Sequence, residues 1–247
     1  MNKLFSLKGK VAIVTGAARG NGKAITQGFL DSGAIVYTVD LNTRLPLDKK
    51  ETVLKGDITT EKFIQHLTKR IIQERAKIDI LVNNAGITIP GPSETYNLGD
   101  WTKTLEINLT APFRLSQSVA RHMIKQKTGG SIINITSMGA ELGFPGNPAY
   151  VSAKGGLKML TRAFAADWAK YNIRVNNICP GYIHTTMTEK SFKDPVLYQE
   201  RLKRAMIPRW GESADLIGAA IFLASDASAY ITGIDLPVDG GWLAKGL

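Results

Sequence analysis

Short apolar runs alternate along the chain with longer stretches whose apolar residues return every three or four positions. The runs KVAIVT (10–15), AIVYTVD (34–40), VLKGDI (53–58), DILVNNAG (79–86), GGSIINITS (129–137), IRVNNICP (173–180) and ITGIDLPVDGGW (231–242) read as strands, most of them closed by glycine, asparagine or proline. Between them KAITQGFLDSG (23–33), TEKFIQHLTKRIIQERAK (60–77), the stretch 100–127, AYVSAKGGLKMLTRAFAADWAKY (149–171) and ADLIGAAIFLAS (214–225) carry helical periodicity. Strand and helix in alternation predict an α/β fold: a single-domain, Rossmann-type doubly wound parallel sheet of about seven strands with helices on both faces. One link is too short for the pattern. Residues 41–56, interrupted by Pro46, cannot hold a full crossover helix and a strand, so the helix there is expected to be lost or reduced to a turn.

Composition narrows the class. A chain of 247 residues suits one α/β core, expected to comprise a cofactor half at about 1–135 and a catalytic half at about 136–247. No apolar run approaches the ~20 residues of a membrane span, and MNKLFSLKGK lacks the pattern of a signal peptide, so a cytoplasmic location is expected. A single cysteine, Cys179, rules out an internal disulfide, and with three scattered histidines no zinc or other metal site is expected. The net charge of +10 is spread along the chain, which predicts a solvated cationic surface that steers anionic substrates and cofactor phosphates.

Two stretches carry chemistry. Gly16, Ala17, Ala18, Arg19, Gly20, Asn21 and Gly22 follow the first strand and open a helix, the context in which glycines let a backbone approach a pyrophosphate at a helix N-terminus. Asp40, closing the second strand, would accept hydrogen bonds from the adenosine ribose and repel a 2′-phosphate, favouring NAD; Arg19 argues for NADP. Further on stand Ser137, Tyr150 and Lys154. Four residues apart on a helix, Tyr150 and Lys154 share a face, where an ammonium would bring the phenol down from its usual pKa near ~10 towards a working base.

These motifs, with NNAG at 83–86, Asn108 and Pro180-Gly181, resemble in order those of the short-chain dehydrogenase/reductase family, over essentially the whole chain. The resemblance implies reversible hydride transfer between a nicotinamide and a secondary alcohol or ketone. Tyr150 would be the general acid/base, Ser137 would hold the substrate oxygen, Lys154 would bind the nicotinamide ribose, and Asn108 would hold a relay water. Asp57 and Ile58 would flank the adenine, Asn83, Asn84, Ala85 and Gly86 would lie against the cofactor, and Pro180, Gly181, Ile183 and Thr185 would meet the nicotinamide. Asn21 departs from the apolar residue usual in the family. Residues 186–210 would form a lid, Trp210 and Trp242 are expected as packing residues, and a homotetramer is implied. SMGAELG (137–143) and the C-terminal stretch resemble the gluconate 5-dehydrogenase branch, in which Glu141 would accept hydrogen bonds from polyol hydroxyls or else cap its loop. A 3-oxoacyl carrier-protein reductase is the alternative enzyme, and a nucleotide-sensing or nucleic-acid-binding protein is the alternative of another class.

Overall fold

A computed structural model describes residues 3–245. Seven strands form one parallel sheet: β1 (Val11–Thr15), β2 (Ile35–Asp40), β3 (Glu51–Lys55), β4 (Ile80–Asn83), β5 (Gly130–Ile135), β6 (Ile173–Pro180) and β9 (Asp235–Val238), in the order β3-β2-β1-β4-β5-β6-β9. Their apolar runs are nearly continuous because both faces of the sheet are covered. In β1 the alternation divides the side chains between two cores: Val11 and Ile13 face one layer, Ala12 and Val14 the other. The first layer packs against Ile64, Leu67 and Ile71 of α2 (Glu61–Arg75), Leu115, Val119 and Met123 of α4 (Ala111–Gln126) and Phe164 of α5 (Pro148–Trp168). The second packs against Ile25 and Phe29 of α1 (Gly20–Asp31) and Ala220 and Leu223 of α8 (Ile217–Ala224).

β1 has β2 on one side and β4 on the other, so the chain's winding reverses there and opens a crevice above the strand ends. Gly16, with φ +64, makes that crevice close-fitting: a Cβ on it would stand 2.7 Å from Ala85 Cα. The glycine turn and the NNAG turn therefore touch backbone to backbone.

Three details differ from the sequence reading. The third strand is Glu51–Lys55 rather than 53–58, and the Gly56 N–H on Asp40 O closes its pairing with β2. The helical stretch 100–127 is α3 (Leu98–Leu105) and α4 joined by a π-helical turn, Glu106–Thr110. A two-stranded sheet, β7 (Ile183–His184) with β8 (Gly211–Glu212), was not foreseen; two-residue strands have no periodicity to read. As the short spacing requires, no helix lies between β2 and β3. The lid stretch holds two short helices, α6 (Glu189–Lys193) and α7 (Pro195–Leu202).

Candidate active site

The site lies at the C-terminal ends of β1, β4, β5 and β6. β5 delivers Ser137, which is 8 % exposed and whose Oγ accepts Gly139 N–H at 3.0 Å. Pro148 starts α5, so Tyr150 sits in the first turn and Lys154 one turn later on the same face. The Lys154 ammonium lies 5.7 Å from the Tyr150 ring centroid and donates to Ile135 O at 2.8 Å.

Asn108 is fully buried in the π-helical turn, where the backbone is locally unwound, a pattern frequent at functional sites. Its Nδ2 donates to Ile87 O and Thr104 O, while its Oδ1 has no partner among the described residues. That oxygen lies 2.6 Å from where a Cβ of Gly86 would stand, and Lys154 Nζ lies 3.6 Å from the same point. The missing side chain of Gly86 is the space where Asn108 and Lys154 meet. A buried acceptor left unpaired is costly, and a water or ligand hydroxyl there would satisfy it.

The electrostatics correct one expectation. Burial pushes the Tyr150 phenol above its ordinary value, while the Ser137 hydroxyl beside it pulls the other way. Burial also pushes Lys154 down to about 8. Desolvation therefore outweighs the Ser137 hydrogen bond, and within the chain alone Tyr150 is a proton donor rather than a ready-made phenolate.

The predicted cofactor residues divide into three groups. Gly16, Gly22 and Gly86 line the cleft with bare backbone; a Cβ on Gly22 would lie 2.3 Å from Gly16 O. Thr185 faces the glycine turn, with its methyl 3.5 Å from a Cβ position on Gly20, and Gly181 is fixed by its N–H to Val238 O. Ala85 N–H donates to Thr15 Oγ1. Other expected residues have side chains that also tie the site together. Asn84 Nδ2 donates to Thr15 O and Gly16 O, tying the two turns together. Asn83 is buried, its Nδ2 donating to Ser116 and Asn134, so its side chain turns towards α4 and not into the crevice as expected; the period-two alternation of β4 sets that direction. The side chains of Ile58 and Ile183 belong to the two cores, and the Asp57 Oδ1 caps Thr59. Asn21 Oδ1 accepts from Ser213, which leaves its backbone N–H in the first turn of α1 for an anion.

At the adenosine end, Asp40 takes Ala18 N–H on one oxygen and Asn42 N–H on the other, both at 3.0 Å. Arg19 is exposed and makes no ion pair among the described residues. Pro180 ends β6, placing the following turn over the crevice.

Glu141 is partly committed within the protein. Its carboxylate pairs with Lys158, which also reaches Asp235 at 3.5 Å. Cys179, near both carboxylates, is held protonated by burial, with its pKa pushed up to about 11, and shares a hydrogen bond with Thr136. Sequence reasoning missed the cavity of about 330 Å³ beside the crevice, bordered by Gly181, Tyr182, Arg201, Trp210 and Trp242. Trp242 stacks on Tyr182 and on Phe144, while Trp210 is 6 % exposed and packs on Tyr198. The Arg201 guanidinium lies 4.7 Å from the Tyr182 ring centroid and has no carboxylate partner among the described residues. Arg201 lies on α7, within the stretch 186–210 expected to form a lid.

This arrangement is that of a nicotinamide-dependent oxidoreductase. The chain belongs to the short-chain dehydrogenase/reductase family: a family model described as enoyl-(acyl carrier protein) reductase matches residues 16–243. Among its relatives, a 2-dehydro-3-deoxy-D-gluconate 5-dehydrogenase of Escherichia coli (strain K12) is 40% identical, covering 98% of each chain. A gluconate 5-dehydrogenase of Gluconobacter oxydans (strain 621H) is 38% identical over 96% of each. The crystal structure of a gluconate 5-dehydrogenase from Burkholderia cenocepacia J2315 in complex with NADP and tartrate superposes with a TM-score of 0.92 at 34% identity, covering 99% of each chain. The protein is thus an NAD(P)-dependent enzyme acting on CH–OH groups. No helix among the described residues is long and apolar enough to cross a membrane.

Proposed function

We propose that the enzyme interconverts a secondary alcohol of a sugar acid with its ketone, in the manner of a gluconate 5-dehydrogenase, using NAD(H). The observation that carries the chemistry is the meeting of Tyr150, Lys154 and the unpaired Asn108 Oδ1 around the bare face of Gly86. The glycine cradle fits a dinucleotide, because the Gly16 and Gly22 positions have no room for a Cβ. When bound, the nicotinamide accepts or supplies the hydride at the substrate carbon. In the reducing direction Tyr150 donates its proton to the carbonyl oxygen as hydride arrives, and Ser137 hydrogen-bonds that oxygen. The Lys154 ammonium, charged below about pH 8, stabilises the phenolate left behind. A water held on Asn108 Oδ1 returns a proton to the pair. In oxidation each transfer runs backwards.

The sugar-acid assignment draws on the relatives' named activities and on Arg201, a cation without a carboxylate partner among the described residues, at a cavity beside the crevice. Asp40 supports NAD(H) as the preferred cofactor, and NADP remains the competing choice through Arg19 and the NADP-bound neighbour. The reading includes a homotetramer in the cytoplasm, checked by light scattering and cell fractionation. The deciding experiment is a panel of sugar acids, polyols and 3-oxoacyl thioesters, each with NAD(H) and NADP(H), followed by the absorbance of the reduced nicotinamide. Turnover of 5-keto-aldonates with NADH is expected. Turnover confined to 3-oxoacyl thioesters would replace this reading with that of a carrier-protein ketoreductase.

A further inference from the structure

The segment between β2 and β3 holds an arginine whose donors are nearly all consumed. Arg44 Nε donates to Ala17 O at 3.1 Å, Nη1 to Leu45 O at 2.9 Å and to Glu51 Oε2 at 3.0 Å, and Nη2 to Glu51 Oε1 at 2.6 Å. A guanidinium has five N–H groups, so one remains. The Glu51 side chain is fully buried, and its oxygens are filled as well: Oε1 also accepts Thr38 Oγ1–H at 2.8 Å, and Oε2 accepts Leu47 N–H at 2.6 Å. A buried carboxylate with its only cation removed is strongly destabilised, so Glu51 holds Arg44 firmly. The node stands where a crossover helix is missing, tying the glycine turn, β2, β3 and their connection together.

Its position gives it a second consequence. Arg44 borders a small hollow with Ala17, Ala18, Asp40 and Asn42, at the end of β2 where a dinucleotide on the glycine cradle places its adenosine ribose. Three charged groups concern a phosphate on that ribose. Asp40 repels it, exposed Arg19 attracts it, and Arg44 is neutralised by Glu51.

Resting on the cofactor reading above, we infer that the Arg44–Glu51 pair is a cofactor-specificity lock: Glu51 withholds from a ribose 2′-phosphate a guanidinium that already stands in the subsite. Glu51, which touches no cofactor, is then a specificity-determining residue, and removing its charge makes Arg44 a phosphate ligand.

The test titrates the full-length enzyme with 5′-AMP and 2′,5′-ADP, with folding checked by circular dichroism and thermal melting. In Glu51→Gln the affinity for 2′,5′-ADP relative to 5′-AMP should rise about tenfold, the scale of one hydrogen bond to a charged group. Adding Arg44→Gln should abolish the gain. A folded Glu51→Gln with an unchanged ratio, or a gain that persists in the double variant, overturns the lock. Should Glu51→Gln fail to fold, the double variant, which removes both charges, decides alone: the lock predicts the wild-type ratio, and a fall in 2′,5′-ADP affinity overturns it. Wild-type preference for 2′,5′-ADP that survives in the double variant would refute the NAD preference while supporting the lock.

Discussion

The catalytic corner and the adenosine corner of the crevice are built by opposite means. At the catalytic corner, Ser137, Tyr150, Lys154 and Asn108 stand on a strand end, a 21-residue helix and a π-helical turn, and regular structure alone sets their spacing. At the adenosine corner no helix joins β2 to β3, and side chains do what backbone does elsewhere: Asp40 ties down the glycine turn and Arg44 is anchored on buried Glu51. The first corner is a desolvated site in which burial disfavours every charge, the second a saturated ion-pair node. The first is organised for proton movement, the second for discrimination between ligands.

Variants at the two corners should therefore fail differently. The largest effect is expected from Lys154→Met, which removes the cation beside Tyr150: kcat falls on the order of 10²- to 10³-fold with cofactor affinity altered far less, as separate turnover and fluorescence titrations will show. Next is Gly22→Ala, whose methyl would lie 2.3 Å from Gly16 O. It costs about 1–3 kcal/mol through overpacking and weakens dinucleotide binding before it touches chemistry, measurable by thermal melting and NADH titration. A smaller effect appears with pH. Because burial brings Lys154 down to about 8, it is charged below that pH and neutral above, so kcat/KM for ketone reduction should hold below about pH 8 and decline beyond it. Lys154→Arg should carry whatever activity it retains to higher pH, since a guanidinium does not titrate there. The smallest is Glu141→Gln: a partly exposed ion pair with Lys158 contributes no more than ~1 kcal/mol, and kcat should stay within a few-fold of wild type. A large kcat loss there would return Glu141 to the substrate.

What the sequence made legible follows the same division. Tyr150 and Lys154 were readable because a helix converts a four-residue interval into adjacency, and the glycine turn because strand, glycines and helix follow one another. Asn83 was misread because a strand-end residue alternates faces, and nothing in NNAG says which asparagine turns inward. Glu141 was left between a substrate contact and a loop cap because its partner Lys158 lies 17 residues away on another element. Arg44 and Glu51 went unnoticed for a different reason. They are near in sequence, but no regular period connects them, and only the fold shows that the carboxylate is buried. The tyrosine's acidity also escaped prediction: proximity to a lysine is readable from spacing, whereas the desolvation that opposes it is a property of the packed interior.

The most direct measurement of the proton-transfer account is steady-state reduction of 5-keto-gluconate by NADH at pH 7 with wild type and Tyr150→Phe side by side, each also titrated with NADH. The account predicts a kcat lower by about 10²- to 10⁴-fold in the variant with NADH affinity retained. A variant that binds NADH normally and turns over at near wild-type speed would contradict it.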